Sequence, residues 1–362
     1  MIHRLVLENL KHRPVLTLLS AVFIGISVTM ILTLVGLSDG MLGEIAARSK
    51  GTGADILVRP PGSSVLSGAM VMPEGVVKVV RAAPHVQMAT GTLVQPIATF
   101  DSITGINLDE FNRMSGGLKF LKGGPFVMPG DLIIDEVFAG AKKLKVGDTV
   151  PNLGLKYRVC GIVEQGKLSR MFAPLDYLQD TYSQKNKISV VYVKVDDPAN
   201  IDQVIDALTK KLEDYKIFRM DDFVSLISVD SVPLLKQFTG VVIGLGVVIG
   251  FLVVFLAMYM AVLERTREIG ILKALGASPG YIMGILLREA VILAVIGTIV
   301  GILLTFGTRS VIHVFAPTWT TSIVKSWWPR AGLIALAASL VGAIYPGLKA
   351  ARQDAIEALS YD

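Results

Sequence analysis

The chain has 362 residues, with 35 Lys plus Arg, 30 Asp plus Glu and a formal net charge of +5. Hydrophobic residues make up 52% and charged residues 18%, and the mean hydropathy is +0.58. These values exclude a disordered chain and argue against a simple soluble enzyme. Residues 1–13 read as an amphipathic helix in the membrane interface, its pattern carried by Ile2, Leu5, Val6, Asn9 and Leu10. Residues 14–37 carry no charge and supply the roughly 20 apolar residues that a membrane span needs. The run is too long for a signal h-region and lacks a small-residue cleavage site directly after it, so it reads as an uncleaved anchor. Residues 38–53 read as a stalk helix continuing from that span.

The block from 39 to 230 has nearly balanced charge and reads as a mixed α/β domain. Alternation and helical spacing predict a strand at Asp55–Val58, a helix at Gly75–Ala82 and a strand at Gly91–Phe100. Further strands are expected at Ile188–Val195 and Lys216–Arg219. Asn200 reads as the cap of a helix over Ile201–Leu212. Residues 54–100 and 185–221 would then form one discontinuous subdomain, with 101–184 as a β-rich insert. Residues 60–73 read as a loop enclosing an apolar patch of Val65, Leu66, Met70, Val71 and Met72, a candidate contact for an apolar substrate or partner. Residues 222–237 read as a second stalk helix.

Three more spans follow, at 238–263, 282–307 and 327–346, the last opening with Trp327, Trp328 and Arg330 and ending at Pro346. An external loop at 308–326 separates the last two. Lys and Arg in the short flanks set the orientation. Arg4, Lys11, Arg13, Arg265, Arg267, Lys273, Arg288, Lys349 and Arg352 gather on one side. Both termini, the 264–280 segment and the 347–362 tail are therefore expected in the cytoplasm, with the large domain outside. The excess positive charge follows this topology and does not signal nucleic acid. The fold class is an α-helical membrane domain of four transmembrane helices with a large extracytoplasmic α+β domain inserted between helices 1 and 2.

The residues offer little for catalysis. Cys160 stands alone in an alternating run, as a small strand residue. His3, His12, His85 and His313 form no ligand pair. Gly161 to Lys167 fits G-x-x-x-x-G-K, but Leu168 replaces the Ser or Thr that would hold Mg²⁺. No catalytic residue and no bound metal or cofactor is expected in this chain. The segment Glu264–Ser278 is more informative. Ile269, Leu272 and Leu275 fall on one helical stripe, Arg265 and Glu268 are placed to pair on the other side, and Gly276 with Ser278-Pro279-Gly280 ends the helix. Gly240, Gly244, Gly246 and Gly250 form G-x-x-x-G pairs and are candidate dimer contacts; Gly297 and Gly301 form another such pair.

The segment Glu264-Arg-Thr-Arg-Glu-Ile-Gly-Ile-Leu-Lys-Ala-Leu-Gly-Ala-Ser278 resembles the signature of the FtsX-like/MacB-like permeases of ABC transporters. The tail Tyr345 to Leu359 is similar to that family's C-terminus, and Leu144–Val150 and Tyr157–Val163 are similar to its outer domain. Ala355 departs from the family, which commonly has Pro there. The resemblance implies that Glu264, Arg265, Arg267, Glu268, Ile269, Leu272, Lys273 and Leu275 form a coupling helix seated in a separate cytoplasmic ABC ATPase. It implies two copies of that ATPase, which binds ATP and Mg, and a dimer of the permease. It also implies the bacterial inner membrane, with a periplasmic adaptor or other external protein and membrane lipid as further contacts. ATP-driven movement of the outer domain (mechanotransmission) would export or extract an amphiphile such as a lipid, lipoprotein, glycolipid, peptide or antibiotic. The alternative is a non-transporting signal transmitter that activates an external enzyme such as a cell-wall hydrolase.

Overall fold

A computed structural model describes residues 14–63, 70–97, 101–152, 155–228, 231 and 233–352. The expected helix over 1–13, the loop residues Val65 and Leu66, and the tail beyond Arg352 lie outside the described residues. The chain divides into two compact units. One holds the described residues up to Asp39 together with Pro233–Phe315 and those from Thr321 onward. The other holds Gly40–Val232 and Ala316–Thr320.

The first unit is helical. Among the described residues, four helices are long and apolar enough to cross a membrane. They are α1 (Pro14–Lys50), α8 (Pro233–Glu264), α10 (Pro279–Phe315) and α11 (Trp327–Arg352), and the short α9 (Thr266–Ala274) lies between α8 and α10. At 37 residues, α1 and α10 each run about 55 Å and so exceed the roughly 30 Å of hydrocarbon. The first turns of α10 therefore carry Arg288 and Glu289 ahead of its apolar run. Glycine lets α1 and α10 approach at backbone distance. A Cβ on Gly301 would lie 2.7 Å from the Gly25 carbonyl oxygen, and one on Gly297 would lie 2.6 Å from the Ile24 Cβ. The Thr29 hydroxyl lies 2.8 Å from the Gly25 carbonyl and 3.0 Å from the Gly301 carbonyl, a polar clasp between the two helices. The Gly297–Gly301 pair is thus used inside the chain.

Two helix boundaries differ from expectation. The stalk expected over 222–237 is interrupted: α7 (Met220–Leu226) ends at Ile227, whose ψ of 71° is not helical. A new helix then starts at Pro233, which lacks the N–H needed to continue an earlier one. Conversely, α11 passes through Pro346 instead of ending there. Pro346 and Gly347 are buried, and a Cβ on Gly347 would meet the Met283 Sδ at 2.5 Å. Packing on α10 thus keeps the helix going where local propensity would stop it.

The second unit contains the strands β1 (Ile56–Arg59), β2 (Met72–Pro73), β3 (Val86–Pro96), β4 (Ser102–Ile106), β5 (Phe120–Gly123) and β6 (Asp131–Asp135). It continues with β7 (Thr149–Asn152), β8 (Leu155–Val163), β9 (Met171–Pro174), β10 (Lys187–Ile188), β11 (Val190–Val195) and β12 (Lys216–Arg219). Its helices are α2 (Gly75–Arg81), α3 (Leu108–Ser115), α4 (Glu136–Lys142), α5 (Leu175–Thr181), α6 (Ile201–Lys211) and α7. The main sheet runs β12-β1-β11-β3-β4-β9-β6-β8-β5, with β7 paired to β8. Strand β3 joins two halves: Val86–Thr92 pair with β11 and Leu93–Pro96 pair with β4.

Among the described residues, the strands of the 101–184 segment therefore join the main sheet and form no separate one. One core cluster also takes in both parts, with Ile56, Val58 and Val193 beside Leu132, Tyr157 and Val159. A smaller cluster around Phe111, Phe172 and Val163 covers the other side of the insert. Asn200 does not cap α6. Its side chain makes no cap hydrogen bond and instead donates to Asp196 at 3.0 Å and meets His85 Nδ1 at 3.1 Å. His85 is therefore tied to Asp196 and Asn200, not isolated.

Candidate coupling site and outer-domain cleft

Local sequence shapes α9 at both ends. Arg265 breaks from helical geometry at the end of α8, and the Thr266 hydroxyl donates to the Leu263 carbonyl at 2.9 Å. At the other end Gly276 adopts φ +92°, a conformation that suits glycine. Its N–H reaches the Lys273 carbonyl and the Ala277 N–H reaches the Leu272 carbonyl, both at 2.9 Å. This Schellman arrangement satisfies the last carbonyls of the helix. Ser278 then caps α10 by accepting from the Tyr281 N–H, with Pro279 as the first helical residue.

The expected apolar stripe does not act as one face. A three-residue step falls about 60° short of a full turn, so Leu275 lies about 120° round from Ile269. Ile269 is buried in a cluster with Ile282, Leu286 and Val262. Leu272 and Lys273 are half-buried. Leu275 is 81% exposed and stands with Ile271, Glu264, Arg267 and Glu268 on the outer side. Ile271 was not among the residues expected there, although its spacing from Arg267 and Leu275 marks the same face. A cleft of about 250 Å³, lined by Glu268, Leu272, Ile282 and Ile285, opens beside α9.

Arg265 does not depend on Glu268 as expected. Its Nη1 donates to Glu289 Oε1 at 2.8 Å, across 24 residues, and Glu289 is 1% exposed. A charge so buried is tolerated only when paired, so this ion pair and the Ile269 cluster together hold the inner side of α9 against α10.

The glycines of α8 divide into two kinds. A Cβ on Gly246 would meet Ile31 Cδ1 at 3.2 Å, and one on Gly250 would meet Ala338 at 3.7 Å. These two glycines therefore face the chain's own helices, which corrects their assignment to a dimer face. Gly240 and Gly244 have nothing within 4 Å. In the outer loop, Met70 is exposed but Met72 is buried in β2, paired with Ile188. Met72 is a core residue.

The second unit also contains a cleft of about 490 Å³ that sequence reading missed. Arg170 clasps Glu44 with its Nε at 3.1 Å and its Nη2 at 2.7 and 2.6 Å. The Thr320 hydroxyl also donates to Glu44. Burial alone would raise the Glu44 carboxyl, but the bonds from Arg170 and Thr320 and the nearby charge of Arg48 hold it below its usual range.

Residues 17–211 match the MacB-like periplasmic core domain family, and residues 240–355 match the FtsX-like permease C-terminal family. A Bacillus subtilis protein described as uncharacterized ABC transporter permease YknZ is 30% identical over 225 residues, covering 60% of this chain and 55% of that protein. The macrolide export ATP-binding/permease protein MacB of Salmonella typhimurium is 25% identical over 280 residues, covering 71% of this chain and 43% of that protein. The chain thus spans about half the length of the curated relatives it matches. Among solved structures, the periplasmic region of MacB from Actinobacillus actinomycetemcomitans is similar at 17% identity and a TM-score of 0.38, covering 51% of this chain and 97% of that one. The extracellular domain of the YknZ transporter from Gram-positive bacteria is similar at 17% identity and a TM-score of 0.36, covering 46% of this chain and 99% of that one. With the two family matches following one another along the chain and four membrane-length helices around an inserted α+β domain, this protein belongs to the FtsX-like/MacB-like permeases of ABC transporters.

Proposed function

We propose that this permease transmits ATP hydrolysis by a separate cytoplasmic ABC ATPase to movement of its extracytoplasmic domain, and so exports or extracts an amphiphilic substrate. The observation that carries the reading is the two-sided character of α9. Its inner side is fastened by Ile269 and by the Arg265–Glu289 pair. Its outer side presents Ile271 and Leu275 between Arg267 and Glu268. Exposed apolar side chains ringed by charge are the composition of a protein-docking patch. A force applied to that patch enters α10 through the fastened side. The working unit is a permease dimer with two ATPase copies in the bacterial inner membrane. Both chain termini and α9 lie in the cytoplasm, and ATP and Mg are held by the partner.

The test is recovery of the ATPase with the tagged permease from native membranes. Ile271→Glu with Leu275→Glu should cut recovery at least about tenfold, the loss of roughly 1.4 kcal/mol or more. Permease abundance and thermal unfolding should stay unchanged. Undiminished recovery would remove α9 as the docking element.

A further inference from the structure

The membrane unit has an apolar crevice that the coupling reading does not use. It lies at the end of α1 that runs on toward Gly40, where the second unit begins. Residues 321–324 form one edge, held against α1 at a glycine. The Ser322 N–H donates to the Gly36 carbonyl at 2.9 Å, and a Cβ on Gly36 would lie 2.6 Å from the Ser322 carbonyl oxygen. Leu32 of α1, Ile302 and Phe306 of α10, and Trp327 and Trp328 of α11 supply apolar lining. Trp328 meets Phe306 edge-on, with ring centres 6.4 Å apart, and the Arg330 guanidinium lies over the Trp327 ring at 5.3 Å. Tryptophans beside basic side chains are typical of the depth at which lipid headgroups lie. The crevice has a volume of about 30 Å³, far below the roughly 300–1,000 Å³ of sites that enclose small molecules. Phe306 and Ile323 in its lining are 45% and 40% exposed, so it opens to the surface. It suits an elongated group lying along it, not an enclosed ligand.

Three donors interrupt the apolar lining. Arg309 is half-buried, and no hydrogen bond or ion pair joins it to another described residue. Thr321 is 8% exposed, and its hydroxyl and that of Thr33 are buried without a partner among the described residues. The Thr305 and Ser322 hydroxyls are satisfied, by the Gly301 carbonyl at 2.8 Å and by Asp39 at 2.6 Å. The sequence supplies little negative charge here. No acidic residue stands between Glu289 and Asp354, a stretch that includes Arg309, Lys325 and Arg330. Asp39 of α1 is engaged by Ser322 and does not line the crevice. A guanidinium and two hydroxyls in apolar surroundings are costly unless an acceptor meets them. Along α10, Ile302 lies seven residues from Arg309 toward the middle of the span, which is about 10 Å. Donors and apolar lining are thus ordered as head and chain are in a bilayer.

We propose that this crevice holds an anionic phospholipid. Its phosphate sits on Arg309, with the Thr321 and Thr33 hydroxyls as further donors, and one acyl chain lies along Leu32, Ile302 and Phe306. A planar guanidinium fork matches a phosphate. The exposed Lys325 and Arg330 favour a head with net negative charge over a zwitterionic one. Binding needs neither nucleotide nor ATPase, so this inference and the coupling reading fail separately.

The experiment uses the full chain, without ATPase, in phosphatidylcholine nanodiscs. These contain a trace of phosphatidylglycerol or of phosphatidylcholine with a photoreactive acyl chain, and adducts are mapped by mass spectrometry. Adducts on the exposed Val341 and Ile344 of α11 report ordinary lipid contact. Relative to those, the phosphatidylglycerol probe should label peptides containing Ile312 or Ile323 about tenfold more than the phosphatidylcholine probe does, the ratio that one charge-assisted hydrogen bond supports. Arg309→Gln should abolish this preference, Arg309→Lys should keep part of it, and Thr321→Val should reduce it less than Arg309→Gln. In the unaltered protein, excess unlabelled phosphatidylglycerol should displace the probe from the crevice and leave the Val341 and Ile344 adducts unchanged, which keeps the test independent of how the variants fold. Equal relative labelling by the two probes would overturn the proposal, as would a preference insensitive to Arg309→Gln or to unlabelled phosphatidylglycerol. Displacement by glycerol phosphate as effective as by the lipid would make the acyl chain irrelevant and overturn it too.

Discussion

In the membrane unit, Arg265 meets Glu289 at 2.8 Å with the carboxylate 1% exposed, and the pair closes a seam between α9 and α10. In the outer unit, Arg170 clasps Glu44 as closely, but within a cleft of about 490 Å³ that also contains Arg48 and Arg59. Both pairs join segments far apart in sequence. They differ in what surrounds them. Around Glu289 the neighbours are apolar, and α9 leaves Ile271 and Leu275 exposed beside Arg267 and Glu268. Around Glu44 the cleft wall mixes charged, polar and apolar side chains. Two similar ion pairs thus sit in different surroundings, one sealed in a helix seam and one at the wall of a cleft.

The largest expected effect comes from opening the closed pair. Glu289→Ala leaves Arg265 facing the Ile269 cluster and should cost about 3–5 kcal/mol in unfolding free energy. Glu44→Ala should cost less, about 1–3 kcal/mol, because water in the cleft can solvate Arg170. Equal losses in denaturant titrations would erase the distinction between the two pairs. Next, Ile269→Ala should destabilise by about 2–4 kcal/mol through a core cavity. Leu275→Ala should change stability by no more than about 0.5 kcal/mol while weakening ATPase recovery. If the two stability effects were reversed, the assignment of inner and outer sides of α9 would be wrong.

Helix packing offers a smaller contrast. Gly301→Ala pushes a Cβ to 2.6 Å from the Val28 Cβ and should cost about 1–3 kcal/mol, whereas Gly244→Ala meets open space and should be neutral or slightly stabilising. Thermal unfolding of the two variants side by side checks this. The smallest effect is a pH dependence in the outer unit. Burial would raise the Asp131 carboxyl, but the Met128 and Val127 N–H groups and Arg158 outweigh it and hold the group below its usual range. The folded state then binds fewer protons than the unfolded one. Asp131 therefore stabilises the domain fully above the ordinary carboxylate range, and that contribution fades as pH falls below about 4. Asp131→Asn should flatten this part of an acid titration; an unchanged slope would mean that Asp131 titrates normally.

Much of the membrane unit was legible because its information is local. Four apolar runs, Gly276 and Pro279 are each readable within a few residues. Helix ends were less legible where packing overrode propensity, as at Pro346, or where a proline started a new helix, as at Pro233. In the candidate site, the identity of α9 was visible but its facing was not. Ile269 and Leu275 look alike in sequence, and only the return of α10 decides which is buried. The outer cleft was not legible at all. Arg48, Arg59 and Arg170 are scattered over more than a hundred positions, each with an ordinary neighbourhood.

The sequence by itself determined the membrane-length helices, the inserted domain and the family, because apolar length and short motifs are properties of contiguous residues. Tertiary structure alone decided that Arg265 answers to Glu289, that Gly246 and Gly250 serve the chain's own packing, and that three arginines share one wall. The reason is physical. Desolvation and ion pairing depend on which distant segments exclude water from a group, and spacing along the chain does not encode that.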